Sequence, residues 1–509
     1  MTRPPTNARS AAAVMLIRGQ GPDLEVFLVE RSTELRFFGG YHAFVGGVRG
    51  AEDGPDEAGQ PEPDLSALMR CAERELFEET GVLLDPNLRA RWTVAQRSAM
   101  RRDLLDLGKD ATSPWPAARG SEPARAQLRA ICRICTPPFA PQRYDTVFFA
   151  AELAPGEEPS IETGELVAGR FWRPSQALAA WRRGEMLIVP PALLLLELLR
   201  HGDLDRFARD AAALAARYAD GALHHVRFSP GIVMASVRTP TLPPATTTNC
   251  FLCGEEKLWI VDPATPHADE QGRLFELIDD LAREGRPPAG ILVSHHHRDH
   301  VGAVVATSRR YDLPVLAHEH TLAHLPPGSV RTQAIGDGAR IPLGRAPDGS
   351  PGWELIASFT PGHDPGHLCF RETRYDAVLV GDMLSTVSTI VIDPPEGHLR
   401  TYLRSLDKLL EQPMSTLYPA HGPAMRDGHR LLRQYVRHRQ QREAALLKAL
   451  AETGPCLAHD LVPKVYWDTD PRMFGLAERS LIAGLDKLVE DGRARLREDR
   501  HWEAVGETG

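Results

Sequence analysis

A chain of 509 residues is too long for one ordinary hydrophobic core, and this length predicts about three domains. Its 42% apolar and 25% charged residues are typical of soluble globular proteins. The formal net charge of −9 gives nucleic-acid binding no support from bulk charge, although it does not exclude a local basic patch.

The sequence has no run that predicts a secretory leader or a membrane span. The N-terminal apolar run is short and ends at charged Arg18, and the longest other run, 187–199, contains two prolines and Glu197. Seven cysteines, an odd number, fit free thiols in a reducing compartment. We therefore expect a cytoplasmic protein with no membrane partner.

The first predicted domain, residues 1–215, mixes strands and helices. A glycine-rich turn (Gly39, Gly40, Gly46 and Gly47) precedes a polar insertion at 50–63, and a second polar insertion is expected at 116–125. The helix predicted over 65–80 ends at Gly81, the residue type expected just past a helix C-terminus. The other predicted elements are strands at 11–18, 24–31, 146–152 and 168–172 and helical periodicity over 192–218.

The second predicted domain, residues 216–430, alternates strands and helices. A strand at 258–261 ends at Asp262, and another at 377–381 ends at Asp382. A helix is predicted over 274–284, and a buried strand over 290–294 runs directly into a histidine-rich stretch. Catalytic residues at strand ends, on loops held by a rigid sheet, are typical of α/β folds.

The third predicted domain, residues 431–509, is rich in helices. Three helices followed by a short hairpin favour a winged helix-turn-helix. This domain has thirteen basic and thirteen acidic residues, so it lacks the general positive charge that attracts phosphate backbones, although basic residues cluster at 433–442 and 493–500. A winged helix used only for packing or dimerisation is therefore an equal alternative to a nucleic-acid reader. The helices are expected near 434–452, 458–467 and 475–491, and the hairpin within 492–505.

The stretch Ser-His-His-His-Arg-Asp-His at 294–300 carries the strongest chemical signal. Alternate residues on a chain that leaves a strand point the same way, so His295 and His297 can reach one metal ion, while Asp299 and His300 can reach a second. Imidazole and carboxylate are ligands that zinc prefers. Two more histidines and a bridging acid are needed downstream, and His363, Asp382 and His421 fill those places. His296 is not expected to bind metal.

This motif, His-x-His-x-Asp-His, resembles the signature of the metallo-β-lactamase superfamily. The resemblance implies an αββα sandwich that binds two Zn²⁺ ions and hydrolyses its substrate, with Asp382 bridging the metals, Asp262 supporting the ligands and Asp299 orienting the attacking hydroxide. It places His295, His297 and His363 on one metal and Asp299, His300 and His421 on the other.

The substrate is less sharply defined than the metal site. Asp382 argues against a true β-lactamase, and only 38 residues separate it from His421, too few for the inserted domain of RNA-maturation nucleases. The C-terminal segment VYWDTD and the helix after it resemble the lactamase-β-like endoribonuclease family, which makes single-stranded RNA the leading partner. The alternative is a small-molecule thioesterase that acts on an acyl-coenzyme-A-like compound.

Four residues of the predicted helix at 65–80 form a second motif. Glu75, Glu78 and Glu79 stand at i, i+3 and i+4, so their carboxylates share one helix face, where Mg²⁺ could coordinate them. With Arg74, the string Arg-Glu-Leu-x-Glu-Glu-x-Gly-Val resembles the Nudix box, within an α+β domain. The resemblance implies hydrolysis of a nucleoside-diphosphate-linked compound, with Mg²⁺ or Mn²⁺ held by the three glutamates and Arg74 orienting them.

The Nudix-like motif departs from its family in two ways. Ser66 stands where an upstream glutamate is expected, and the 50–63 insertion stretches the glycine-to-helix spacing. Together with the segment 172–199 this resembles the coenzyme-A-diphosphatase-like branch, so a nucleotide or coenzyme-A-like molecule is the expected ligand. A Nudix-like domain that only senses a nucleotide is the alternative.

Two other features are given structural interpretations. Cys132/Cys135 and Cys250/Cys253 lie in different predicted domains, too far apart in sequence for a compact four-thiolate zinc site. His224–His225, His318 and His320 are expected on surface loops or core edges, where His318 or His320 could touch substrate. The sequence leaves the oligomeric state open.

Overall fold

The computed structural model describes residues 8–35, 38–54, 65–106, 113–119, 126–162 and 164–505. The chain divides into two compact units, an N-terminal unit (Met1–Pro230) and a C-terminal unit (Gly231–Gly509). Much of the two polar insertions predicted at 50–63 and 116–125 lies outside the described residues. The three-domain division 1–215, 216–430 and 431–509 stays a prediction.

The N-terminal unit is built around a mixed sheet with helices on both faces. The strands of this sheet are β1 (Arg9–Arg18), β2 (Glu25–Arg31), β3 (His42–Ala43), β4 (Val45–Val48), β5 (Arg129–Cys135), β6 (Tyr144–Glu152) and β7 (Leu166–Trp172), and the short strand β8 (His225–Val226) lies outside it. Its helices are α1 (Leu65–Thr80), α2 (Pro86–Arg91), α3 (Val94–Leu105), α4 (Trp115–Arg119), α5 (Pro174–Arg182), α6 (Pro190–Leu198) and α7 (Leu204–Ala219).

Strand β1 lies at the centre of this sheet, parallel to β6 and antiparallel to β4 and β2. It is apolar along most of its length because both of its faces are covered: α1 packs on one, and α5, α6 and α7 pack on the other. Helix α1 has the predicted bounds, and Gly81 (φ 74°) follows it in the left-handed region. The predicted helical stretch 192–218 is divided into α6 and α7, because Gly202 has a positive φ and Asp203 caps α7.

The C-terminal unit contains two sheets and five helices, followed by a helical tail. The first sheet holds β9 (Ile232–Arg238), β10 (Thr247–Cys253), β11 (Leu258–Val261), β12 (Pro288–Leu292), β13 (Val315–Ala317) and β14 (Thr332–Ala334). The second holds β15 (Arg340–Gly344), β16 (Trp353–Phe359), β17 (Leu368–Glu372), β18 (Ala377–Gly381), β19 (Thr416–Pro419) and β20 (Met425–Arg426). The helices are α8 (Ala268–Arg283), α9 (Arg298–Val301), α10 (Val304–Tyr311), α11 (Glu319–Ala323) and α12 (Leu399–Leu410).

The two sheets of the C-terminal unit pack face to face. Phe251 of β10 lies edge-on to Tyr418 of β19 with ring centroids 5.7 Å apart, and the Trp259 indole N–H donates to the Pro342 carbonyl at 3.1 Å. Helices α8 and α10 contact the first sheet, while the buried face of α12 shares a core with β18 and β19. The resulting layers are helix, sheet, sheet and helix, as the sequence predicts.

The tail consists of three helices and a hairpin around a core of its own. Its elements are α13 (Gly428–Thr453), α14 (Ala458–Val465), α15 (Phe474–Glu490), β21 (Ala494–Leu496) and β22 (Trp502–Ala504). Leu450 and Leu485 pack with Trp502 of the hairpin in this core. Helices α13 and α15 also contact α12, which joins the tail to the sandwich.

All seven cysteines are free thiols, and Cys250 and Cys253 are fully buried in β10. No helix in the described part of the chain combines the length and the hydropathy that a bilayer crossing requires.

Candidate functional site

The residues that follow four strands of the C-terminal unit meet at one edge of the sandwich. Parallel strands β11 and β12 end shortly before Asp262 and Ser294–His295, and parallel strands β18 and β19 end shortly before Asp382 and His421. The loop between β16 and β17 carries His363. Carboxyl ends of parallel strands lie at the same edge of a sheet, so residues distant in sequence meet there.

Three imidazoles form the first half of the site. The His297 Nδ1 atom lies 3.0 Å from the His295 Nε2 atom and 3.0 Å from the His363 Nε2 atom. Nitrogen ligands about 2.0–2.1 Å from a tetrahedral zinc ion lie roughly 3.3 Å from each other, close to this spacing. The three side chains therefore fit one metal ion, as the sequence predicts.

Asp299, His300 and His421 form the second half, and Asp382 stands between the halves. The Asp382 Oδ1 atom lies 3.5 Å from the His300 Nε2 atom and 3.3 Å from the His421 Nε2 atom. Its Oδ2 atom lies 3.5 Å from the His363 Nε2 atom of the first half. Asp299 Oδ2 is 3.6 Å from His421 Nε2. The carboxylate of Asp382 thus faces both halves, the position of a bridging ligand.

Two buried atoms of this arrangement lack any hydrogen-bond partner among the described residues, the His300 Nε2 atom and the Asp382 Oδ1 atom. Buried polar atoms are rarely left without partners, because the loss of hydration costs about 1–3 kcal/mol. Both atoms point where a second cation would sit, so the residues present fit a pair of divalent ions.

Hydrogen bonds behind the ligands fix the imidazole orientations. His363 Nδ1 lies 3.0 Å from the Val391 carbonyl oxygen, and His421 Nδ1 lies 3.0 Å from the Thr247 carbonyl oxygen. A carbonyl oxygen only accepts, so each Nδ1 carries the proton and each Nε2 presents its lone pair to the site.

Asp262 fixes the orientation of the His300 imidazole in the same way. Its carboxylate accepts from the Ser294 backbone N–H at 2.7 Å and from the Ser294 hydroxyl at 2.6 Å, and it lies 2.9 Å from the His300 Nδ1 atom. Its φ of 49° is in the left-handed region, which Asp and Asn tolerate better than other side chains. Asp262 is 1% exposed, so these hydrogen bonds form away from water.

The charges of the site suit metal binding. Burial, reinforced by the nearby His363 imidazole, lowers the pKa of His297 to about 4, so this ring is neutral at physiological pH. Burial would raise the pKa of Asp382, but His421 and His300 hold that pKa well below its usual range. Burial would lower the pKa of His300 and of His421, but the charge of Asp382 raises both, so the site pairs an ionised carboxylate with the neutral ring of His297.

Sequence reasoning missed His367, which supports the bridging acid. Its Nε2 atom accepts the Asp382 backbone N–H at 3.1 Å, and its Nδ1 atom lies 2.9 Å from the Thr360 hydroxyl. The signal was present in TPGHDPGH, where His367 is the second histidine and His363 the first.

The segment 383–398 borders the site and is held by the helical tail. The Tyr435 hydroxyl of α13 accepts the Ser385 N–H at 2.9 Å, and the Ser480 hydroxyl of α15 accepts the Ile392 N–H at 3.3 Å. Arg479 forms an ion pair with Asp393. Because this segment also carries the Val391 carbonyl that orients His363, the tail helps to set the geometry of a candidate ligand.

Helix α1 of the N-terminal unit carries the three predicted glutamate ligands next to a buried arginine. Arg74 is buried and donates to both carboxylate oxygens of Asp53, at 3.0 and 2.9 Å, and to Glu75 at 2.9 Å. Glu78 lies 3.4 Å from the same guanidinium, and Glu79 accepts the Gly46 N–H at 3.1 Å. Arg74 therefore orients two of the three glutamates. Asp53, which the sequence analysis did not identify, holds the Arg74 guanidinium in place.

Burial and mutual repulsion disfavour the charged forms of these carboxylates. Burial raises the pKa of Glu75 to about 7 despite the opposing charge of Arg74, and burial together with the charge of Glu75 raises the pKa of Glu79. However, the described groups of three or more potential ligand atoms lying within 4.8 Å of one another all belong to the C-terminal unit. The Mg²⁺ or Mn²⁺ site at Glu75, Glu78 and Glu79 stays a prediction.

Comparison with known proteins places the site in a family. The model of the Metallo-beta-lactamase superfamily matches residues 243–421, and that of the Beta-lactamase associated winged helix domain matches 458–502. The Beta-lactamase-like protein 2 homolog of Caenorhabditis elegans is 28% identical over 247 residues, 48% of this chain and 79% of that protein. The Atrochrysone carboxyl ACP thioesterase of Aspergillus fumigatus is 28% identical over 226 residues, 44% of this chain and 66% of that protein.

Among solved structures, a NUDIX hydrolase from Alicyclobacillus acidocaldarius is 31% identical with a TM-score of 0.35, over 41% of this chain and 98% of that chain. The candidate site lies within the segment that the superfamily model matches. Residues 243–421 thus form a metallo-beta-lactamase superfamily domain, and residues 458–502 form a beta-lactamase-associated winged helix domain. The chain is a metal-dependent hydrolase.

Proposed function

We propose that the C-terminal unit hydrolyses an acyl thioester of a small carrier molecule at a dinuclear zinc site. The observation that carries the hydrolytic part is the position of Asp382, with one carboxylate oxygen facing His363 and the other facing His300 and His421. Two cations held there would supply Lewis-acid activation of water and offset the negative charge that develops on an attacked carbonyl.

The protein's own residues would orient the attacking water and fix the geometry of the ligands. Asp299 lies beside His421 and is only partly buried, so its carboxylate can orient the attacking water and accept its proton. Asp262 holds one imidazole and the Val391 carbonyl holds another, which fixes the site before substrate arrives. Rigid placement of this kind lowers the reorganisation needed in the transition state.

Charge at the mouth of the site favours a thioester over a nucleic acid. The Glu396 Oε2 atom lies 3.6 Å from the His297 Nε2 atom, and this side chain is 45% exposed. A carboxylate there would repel a phosphodiester at the reacting position, whereas the reacting acyl group of a thioester is neutral and the phosphates of a coenzyme A carrier lie at the far end of its pantetheine arm. The Aspergillus relative that is named a thioesterase supports the same choice.

The basic clusters of the helical tail also give RNA little attraction. Arg442 pairs with Asp468 at 2.6 Å and Arg493 pairs with Glu443 at 3.3 Å, while Arg495 pairs with a glutamate of the hairpin. These ion pairs neutralise locally three of the eight arginine charges that the sequence places at 433–442 and 493–500. The tail therefore serves here to hold the segment 383–398.

Cleavage of single-stranded RNA is the second candidate. It is favoured by the winged helix domain beside the sandwich, since winged helices commonly contact nucleic acids. In this interpretation the phosphodiester replaces the thioester at the same metal pair, and the residues of the site keep their roles.

For the N-terminal unit we propose hydrolysis of a diphosphate bond in a nucleotide or coenzyme-A-like compound. The support is the helix face that holds Glu75, Glu78 and Glu79 together with Arg74, where bound Mg²⁺ or Mn²⁺ would relieve the repulsion between buried carboxylates. A coenzyme-A-directed activity would act on the same class of molecule as the thioesterase. Nucleotide sensing without turnover is the alternative.

A substrate panel with matched variants tests both proposals. The full chain would be offered an acyl-coenzyme-A thioester, coenzyme A and labelled single-stranded RNA in the presence of Zn²⁺ and Mg²⁺. We expect thioester hydrolysis that is lost in Asp299→Ala and kept in Glu78→Gln, and diphosphate hydrolysis that shows the opposite pattern. RNA cleavage lost in Asp299→Ala, with no thioester turnover, would overturn the first proposal in favour of the second candidate.

A further inference from the structure

Beside the dinuclear site lies a second histidine cluster, formed by His296, His320 and His324. The rings of His296 and His324 are stacked with centroids 4.0 Å apart, and the ring of His320 lies 5.5 Å from His296 and 4.7 Å from His324. One ligand atom from each residue lies within 4.8 Å of the other two. None of these three residues belongs to the dinuclear set.

In His296 and His324, the Nδ1 atom lies next to an acceptor oxygen, which leaves the Nε2 atom available to a metal ion. The His296 Nδ1 atom lies 2.5 Å from the Asp364 Oδ2 atom, and the His324 Nδ1 atom lies 2.8 Å from the His320 carbonyl oxygen. A carbonyl oxygen only accepts, so the His324 Nδ1 atom carries the proton and its Nε2 atom keeps a lone pair, while the Asp364 carboxylate favours a proton on the His296 Nδ1 atom. A carboxylate behind a metal-ligating histidine is the arrangement that tunes metal sites elsewhere.

The third histidine supplies an atom without a partner. The His320 Nε2 atom is buried and makes no hydrogen bond within the described part of the chain. Helix α11 is held close to the site because the Thr321 hydroxyl donates to the Gly366 carbonyl at 3.4 Å, and a Cβ atom at Gly366 would lie 3.0 Å from the His320 Cβ atom. His320 and His324 stand at i and i+4, a spacing that places two imidazoles on one face.

A carboxylate lies beside the set. The Glu396 Oε1 atom lies 3.6 Å from the His296 Nε2 atom, whereas Asp364 contacts the other ring nitrogen of His296. We propose that His296, His320 and His324 bind a third divalent cation of the zinc type, with Asp364 holding His296 in place. Three imidazoles are a donor set suited to Zn²⁺ rather than to Mg²⁺ or Ca²⁺.

The test is a zinc titration of the full chain, stripped with chelator and kept in excess Mg²⁺, with bound zinc measured by elemental analysis after gel filtration. We expect about three zinc ions per chain for the natural sequence, about two for His320→Ala/His324→Ala, and about three for the control His459→Ala, which removes an exposed histidine elsewhere. The single change His324→Ala, at an exposed position, is expected to weaken the third ion's affinity about tenfold or more while leaving the melting temperature unchanged.

The outcomes separate this site from the dinuclear one. Equal zinc content in the natural chain and the double variant would overturn the third site and leave the dinuclear site standing. A single zinc ion that disappears in the double variant would support the third site and contradict the dinuclear one.

Discussion

Replacing Asp262 by Asn removes one charge from behind the metal site while keeping the side-chain size. Asn also tolerates the left-handed backbone found at this position, so the change acts on hydrogen bonding and not on backbone strain. The Asn oxygen can still accept the Ser294 N–H, but its NH₂ group then faces the His300 Nδ1–H and cannot accept from it. His300 loses the partner that aims its Nε2 atom at the second cation.

The size of the effect follows from these contacts. A buried hydrogen bond to a charged group contributes about 1.5–3 kcal/mol, and loss of such a partner behind a ligand lowers metal affinity about 10–100-fold. We therefore expect Asp262→Asn to weaken binding of one of the two zinc ions by about 10–100-fold, and hydrolysis at limiting zinc to fall with it. Competition with a chromophoric chelator measures the affinity of each ion.

Glu372→Gln is the matched control for this prediction. Glu372 is also a fully buried acid, and it accepts from the Trp353 indole and from the backbone N–H of Ala377, away from the site. Its replacement should lower the melting temperature without changing zinc affinity. Unchanged zinc affinity in Asp262→Asn, or an equal loss in the control, would refute the role given to Asp262.

Three further predictions concern other parts of the chain. Asp53→Asn removes the fully buried charged partner of Arg74, which keeps its pairs with Glu75 and Glu78, and should destabilise the N-terminal unit by about 1.5–3 kcal/mol in thermal unfolding, whereas a change under about 1 kcal/mol would contradict the role given to Asp53. Burial lowers the pKa of His224 from 6.5 to about 4, so the unfolded chain binds the extra proton first and stability falls as pH drops from 6.5 to 4. His224→Phe should therefore lose about 3 kcal/mol less than the natural chain over that range in urea unfolding, and identical pH profiles would refute this. Arg479→Ala breaks an exposed ion pair with Asp393, so we expect a stability loss below about 1 kcal/mol but a several-fold lower kcat at unchanged zinc content, and an unaltered kcat would refute the scaffolding role of the tail.

The clustering of the seven candidate ligands could be predicted from sequence because they follow strand ends and a short motif, while their binding of two metal ions stays a prediction. His295, His297, Asp299 and His300 lie within six consecutive positions, and the rigid sandwich brings the downstream ligands to the same edge. Local patterns also predicted helix α1 to the residue, because Gly81 marks its end.

The supporting residues could not be predicted in the same way. Asp53 pairs with Arg74 across a loop, and its partner is fixed by the fold of that loop and not by a helical or strand period. The contact of His296 with His320 and His324 depends on where α11 docks, which no local pattern reveals. Side chains that act through long-range packing are visible only in three dimensions.

The most direct test of the central claim is anomalous X-ray scattering at the zinc edge from crystals of the full chain grown with Zn²⁺. At the strand-end edge of the sandwich we predict two peaks about 3.5–4 Å apart, both in contact with Asp382. The two peaks should be coordinated by His295, His297 and His363 and by Asp299, His300 and His421. A single peak at this edge, or two peaks of which one does not touch Asp382, would contradict the claim.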